Sequence, residues 1–201
     1  MHPLTNDEVT HGVESPELGL VPIVGAIADA HLHVVDSTIP LRSRRSLARV
    51  AYAAQRSTPN YQTGYDGTVT DDDQRLYILG AGSRAIGLVL TALQDRFWNV
   101  RWNEHGYIAR DGAAPILRRG PMVARIWVAQ SERRSGLGLR MTSLALQHLG
   151  VAAGTVGWEF PFTESGSAIV RRLCPDVFLV GCDAMTLARH TKPHTVLPST
   201  Q

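Results

Sequence analysis

The sequence predicts one α/β domain, and three observations carry that reading. A strand-like run followed by a helical pattern opens the ordered part. Two apolar runs joined by a short glycine turn form an antiparallel hairpin. The second half then alternates strand, arginine-glycine loop, helix, strand, short helix and strand. At 201 residues, 44% hydrophobic and 19% charged, the chain is long enough for a sizeable core. We read residues 1–26 as a loose N-terminal arm, 27–185 as the domain and 186–201 as a C-terminal tail.

The arm is assigned because MHPLTNDEVTHGVESPE is polar and acidic, and Pro3, Pro16 and Pro22 punctuate it. AHLHVV at 30–35 reads as the first strand. RSRRSLARVAYAAQR places Leu47, Val50, Ala51 and Ala54 at the spacing of one helical face. Residues 56–73, with Pro59, Gly64, Gly67 and the aspartates 71–73, read as a long loop. RLYIL and AIGLVLTAL are the hairpin strands around GAGSR, with FWNVRW extending or following the second. After the connection GAAPILRRGPM come the strand ARIWV, the loop, and a helix with Leu137, Met141, Leu144, Ala145 and Leu149 on one side. TVGWEF, SAIVRRL and VFLVGC complete the order as strand, helix and strand.

Several function classes fall away early. Twenty basic residues against eighteen acidic ones, a net charge of +2, leave no nucleic-acid footprint. No apolar run approaches the ~18 residues of a membrane span, and the N-terminus lacks the pattern of a secretory signal, so the expectation is a cytoplasmic protein. Cys174 and Cys182 read as buried free thiols rather than a disulfide or zinc scaffold. Gly80-Ala-Gly82-Ser-Arg-Ala85 matches a dinucleotide fingerprint, but IGLVL after it is strand-like, and the fingerprint needs a helix there. It reads as a turn.

The same test passes at RRSGLG, residues 133–138, which follow a strand and open an amphipathic helix. Glycines remove the Cβ atoms that would obstruct a close ligand. The first-turn amides lack intrahelical partners, the helix dipole favours an anion, and Arg133 and Arg134 add positive charge. A pyrophosphate is the natural occupant, although a plain connection with solvated arginines would have the same sequence.

R-x-x-G-x-G between a strand and a helix resembles the acetyl-CoA loop of the GNAT acetyltransferase superfamily. Within it, SRAIGLVLTALQDRFWNVRW (83–102), ARIWVAQSERRSGLG (124–138) and VGWEFPFTESGSAIVRRLCPDVFLVG (156–181) are similar to the acetyltransferase domain of the cohesin acetyltransferases. The resemblance spans roughly residues 30–183. It implies the GNAT fold: a mixed, mostly antiparallel central sheet with flanking helices, its strands splayed at the acyl-CoA site. It also implies acetyl-CoA as cofactor, held by Ile126, Trp127, Val128, Arg133, Arg134, Ser135, Gly136, Leu137 and Gly138. The amide at or near Val128 would polarise the thioester carbonyl.

Two departures matter. Members of that family commonly carry a cysteine-histidine zinc finger ahead of the domain, whereas no cysteine precedes residue 174 here, so a chromatin role is not expected from the resemblance. Where the family carries an aspartate before the proline after the fifth strand, this chain has Phe160, with Glu159 one step earlier and so on the opposite strand face. An amine acceptor of pKa near ~10.4 must lose a proton, and Glu159 and Glu164 are the candidate bases. For each, a solvated surface glutamate is the competing reading. Trp127 and Trp158 suit core packing as well as ligand contact, and SAIVRRLC lacks the tyrosine that many relatives use as acid. His105 and Tyr107 lie in the variable connection before RIWV. His31 and His33 share a strand face without a third metal ligand, and Asp71 to Asp73 read as a solvated loop.

The expected function is acetyl transfer to a primary amine of a small molecule, such as an amino sugar, an antibiotic or a biosynthetic intermediate, by direct attack. A protein lysine acceptor, which the resemblance implies, and a non-catalytic acyl-CoA-binding module are the alternatives. No metal, nucleic acid or membrane partner is expected, and a homodimer is left open.

Overall fold

The computed structural model describes residues 5–56, 74–112 and 114–191. Along the chain these form α1 (Asn6–His11), β1 (Val13–Glu14), a 3-10 turn (Pro16–Leu20), β2 (Ile23–Ile27), β3 (Ala30–Val35) and α2 (Leu41–Arg56). Then come β4 (Gln74–Ala81), β5 (Arg84–Trp102), β6 (Ile108–Arg110) and β7 (Ile116–Val128). A second 3-10 turn (Gln130–Glu132) leads into α3 (Leu137–Leu149), β8 (Gly157–Glu159), α4 (Glu164–Leu173), β9 (Val177–Gly181) and α5 (Ala184–His190). The aspartates 71–73 lie outside the described residues. The chain divides into two compact units, Met1–Leu93 with Val123–Ala152 and Gln94–Met122 with Ala153–Gln201, so that β5 and β7 contribute residues to both.

In the first unit β2, β3, β4 and β5 are successive antiparallel neighbours. The hairpin expected around GAGSR is present, with Leu76 opposite Leu90 and Ile78 opposite Leu88, and Gly82 at φ 59° makes its turn. Leu76, Ile78, Leu79 and Leu88 are fully buried, as a strand covered on both faces requires. Helix α3 buries Met141, Thr142, Ala145 and Leu146, the one-sided spacing that its sequence carries. Gly87 on β5 lets the helix approach, because a Cβ there would sit 2.9 Å from the Met141 sulfur. Full burial of a side chain such as Met141 contributes about 1.5–3 kcal/mol.

The segment read as a loose arm holds α1, β1, the Pro16–Leu20 turn and β2. Val13 and Leu18 are buried within a polar sequence, and β1 pairs with β5 through Val13 and Ala85. Such anchoring by one or two apolar residues leaves no periodic signal.

In the second unit the later part of β5 pairs antiparallel with β6 and β9, while β8 and β9 are parallel, which makes the sheet mixed. The connection expected over GAAPILRRGPM is mostly strand, since β7 begins at Ile116. Trp98 donates its indole N–H to the Cys182 carbonyl and Trp102 donates to that of Cys174. Phe178 stacks on Trp102 with ring centres 5.0 Å apart. Both cysteines are free thiols, Cys174 buried and Cys182 half-buried. Among the described residues no helix is long and apolar enough to cross a membrane.

Candidate functional site

Strand β7 ends at Val128 because the next residue turns away while staying tied to the sheet. The Ala129 amide donates to the Ile86 carbonyl at 2.9 Å, and the Gln130–Glu132 turn closes through Glu132 N–H to Ala129 O. Amides alternate between the two edges of an extended strand, so the Val128 amide faces away from β5. The Val128 carbonyl accepts from Arg133 Nε at 3.1 Å, which folds that arginine back over the strand end. Arg134 then adopts φ 66° and Gly136 φ 81°, two left-handed residues bracketing Ser135, whose hydroxyl donates to the Glu132 carbonyl at 2.6 Å.

Left-handed residues in such a turn present consecutive amides to one side, a concavity that binds anions. Helix α3 starts at Leu137 with Gly136 as its N-cap and no side-chain cap. Its first-turn amides therefore remain available, with the positive end of the helix dipole behind them. Arg133 to Gly136 are exposed and Leu137 and Gly138 half-buried. A Cβ on Gly136 would meet nothing within 4 Å, so this position opens onto space.

Ile126 and Val128 are half-buried and alternate with Trp127, which is buried. The Trp127 indole nitrogen is buried without a hydrogen-bond partner among the described residues. A buried N–H of this kind costs stability unless an acceptor reaches it. All nine cofactor candidates thus belong to the first unit, on the end of β7, the loop and the first turn of α3.

The two acids belong to the second unit. Glu159 ends β8, half-buried and opposite Gly181 of β9. Glu164 is exposed at the first position of α4, a helix capped by the Thr163 hydroxyl accepting from Gly166 N–H at 3.1 Å. There it complements the helix dipole. Phe160 is 8% exposed and packs edge-on against Phe162 and His190, so the position aligned with the family's aspartate is apolar here. Trp158 is buried and donates to the Ala153 carbonyl, a packing role.

His105 and Tyr107 sit on an exposed turn held by the Asn103 side chain, which accepts from both of their amides. Arg171 of α4 fastens that turn through the Gly106 carbonyl at 2.6 Å while lying 4.8 Å over the Trp102 ring. His33 is buried with Nδ1 3.0 Å from the Val21 carbonyl, whereas His31 is exposed. No group of three potential metal ligands occurs among the described residues.

No protein-family model and no curated protein matches the sequence. Solved structures do. The xEco2 acetyltransferase domain bound to a CoA conjugate superposes with a TM-score of 0.66 at 16% identity, over 81% of this chain and 98% of that one. A second structure of the xEco2 acetyltransferase domain gives a TM-score of 0.60 at 16% identity, over 81% and 96%. The chain has the GNAT acetyltransferase fold. The mostly antiparallel sheet, the strand-loop-helix unit at 116–149 and the closing β8-α4-β9 follow the order that the sequence resemblance implied. What sequence reasoning missed is that the exposed Arg133 side chain also bonds the strand end through the Val128 carbonyl; no spacing rule encodes such a local bond.

Proposed function

We propose that this chain is an acetyl-CoA-dependent N-acetyltransferase that acetylates a primary amine of a small molecule. The observation that carries the reading is the uncapped N-terminus of α3 behind two left-handed residues, in a chain with the acetyltransferase fold. The loop suits the cofactor on its own terms. Its donors are backbone amides, and its glycine opens onto space. When bound, acetyl-CoA supplies an acetyl thioester activated towards amines.

The amides from Arg134 to Gly138 would hold the pyrophosphate, and the Arg133 and Arg134 guanidiniums would add charge beside it. The Val128 amide would donate to the thioester carbonyl oxygen, an oxyanion-type contribution. Glu159 would accept the proton that the acceptor ammonium must lose, directly or through a water; the amine nitrogen would then form its bond to the acetyl carbon as the carbon–sulfur bond breaks, and the proton shed by that nitrogen would end on the departing CoA sulfur. Partial burial supports Glu159 over the exposed Glu164, which is the second candidate. A protein lysine is the second acceptor reading, favoured by the three sequence blocks that resemble the cohesin acetyltransferases.

The test is incubation of the full chain with acetyl-CoA and a panel of amino sugars, polyamines and lysine peptides, read by mass spectrometry, with calorimetric titration of CoA alongside. Acetyl gain on a small amine is the expected result, and gain confined to lysine peptides selects the second reading. Failure to bind CoA removes the basis for both.

A further inference from the structure

Helix α1 has six residues, far below the length at which a helix is stable alone, yet it is fixed at both ends. The Thr5 hydroxyl accepts from Glu8 N–H at 3.1 Å and Glu8 Oε2 accepts from Thr5 N–H at 2.9 Å, a reciprocal cap. The other oxygen of Glu8 accepts from Arg49 of α2 at 2.7 Å, with the Glu8 side chain only 13% exposed. At the far end Gly12 has φ 101°, and a Cβ on it would lie 2.7 Å from the Ala85 carbonyl and 3.1 Å from Ile86 Cγ2. Val13 and Glu14 then pair with Ala85 and Arg84, and the Arg84 guanidinium reaches both Glu14 at 2.7 Å and Asp7 at 3.6 Å.

Helix α1 also packs against the Gln130–Glu132 turn, and the Thr10 hydroxyl lies 3.5 Å from Gln130 Oε1. That turn hangs from Ile86 by the Ala129 amide. The same two residues of β5, Ala85 and Ile86, therefore locate both α1 and the turn from which Arg133 to Gly138 extends. We infer that residues 5–14 are a clasp that presets the anion loop by fixing the 130–132 turn. As a positioning element for CoA binding, the clasp rests on the acetyl-CoA reading; its effect on the loop does not.

If the clasp is opened and the competent loop falls to about a tenth of the population, apparent CoA affinity falls about tenfold. The test compares wild type with Gly12→Val, whose side chain cannot fit against Ala85, and with Glu8→Ala, which cuts the tie to α2. Hydrogen exchange of the ligand-free chain should quicken across 130–139 while β3 and β4 keep their protection. KM for acetyl-CoA should rise about tenfold with kcat within about twofold. Unchanged exchange at 130–139 in folded variants would overturn the clasp. If Gly12→Val loosens β3 and β4 as well, the milder Glu8→Ala decides by the same comparison. Faster loop exchange in a chain that binds no CoA would keep the clasp and sink the cofactor reading instead.

Discussion

Helix α3 carries a matched pair of glycines that separates backbone strain from ligand binding. Gly136 at its start has φ 81° and Gly150 at its end has φ 68°, and a Cβ on either meets nothing within 4 Å. A 13-residue helix is roughly 20 Å long, so the two positions are well apart. An L side chain in the left-handed region costs about 1–2 kcal/mol. At roughly 2–4 °C per kcal/mol for a chain of this size, Gly136→Val and Gly150→Val should each melt about 2–8 °C below wild type. Binding should split them. A valine at Gly136 stands in the loop that would hold the pyrophosphate, and losing two charge-assisted amide bonds at about 1.5 kcal/mol each weakens CoA roughly a hundredfold. Gly150→Val should bind CoA as wild type does. Thermal melts and calorimetry on the three proteins test this. Wild-type affinity in Gly136→Val, or an equal loss in Gly150→Val, would refute the assignment of the loop.

Glu159→Gln should lower kcat by about 10²–10⁴ with CoA affinity unchanged; full activity would move the base to Glu164 or elsewhere. Gly157→Ala should destabilise the second unit by about 1–3 kcal/mol or more in urea titration, because its methyl would overlap the fully buried Phe97 ring. Wild-type stability would refute the seating of Phe97 over β8. Burial pushes the thiols of Cys174 and Cys182 up to about 11, with the Asp183 charge adding to Cys182. At pH 8 only about 0.1% of each is thiolate, so a disulfide reagent should react slowly with the folded chain and rapidly in denaturant. The folded thiols hold their protons more tightly than unfolded ones near ~8.5. Their contribution to stability is therefore present below that pH and lost as pH rises to about 11. Rapid labelling of the folded chain at pH 8 would contradict their burial.

The parts of the fold that were legible are those where one face is buried over many residues. The β4-β5 hairpin, α2 and α3 each repeat an apolar residue at the period of their own geometry. β7 was read short because Gly120 and Pro121 punctuate it like a loop. Gly120 lies inside the strand, where a Cβ would make only an ordinary contact 3.6 Å from the Phe97 ring, so this glycine marks no turn. The N-terminal elements were illegible for another reason. Their anchors are Val13, Leu18, Gly12 and charges paired with residues at positions 49 and 84, contacts that no local pattern encodes. At the candidate site, the loop and the uncapped start of α3 could be read because helix-start chemistry is local. The two acids were legible as candidates, but their surroundings, half-buried at Glu159 and exposed at Glu164, depend on tertiary packing that no local pattern encodes.

The placement of the four tryptophans gives each unit its own optical signal. Trp98, Trp102 and Trp158 belong to the second unit, each with its indole N–H on a backbone carbonyl, and Trp127 alone belongs to the first. A protein retaining only Trp127 would emit from the strand that leads into the 133–138 loop, and Trp127→Phe would emit from the second unit alone. Fluorescence can therefore follow the unfolding of one unit without the other. A shift in Trp127 emission on adding CoA would be read without any turnover, before an acceptor is known.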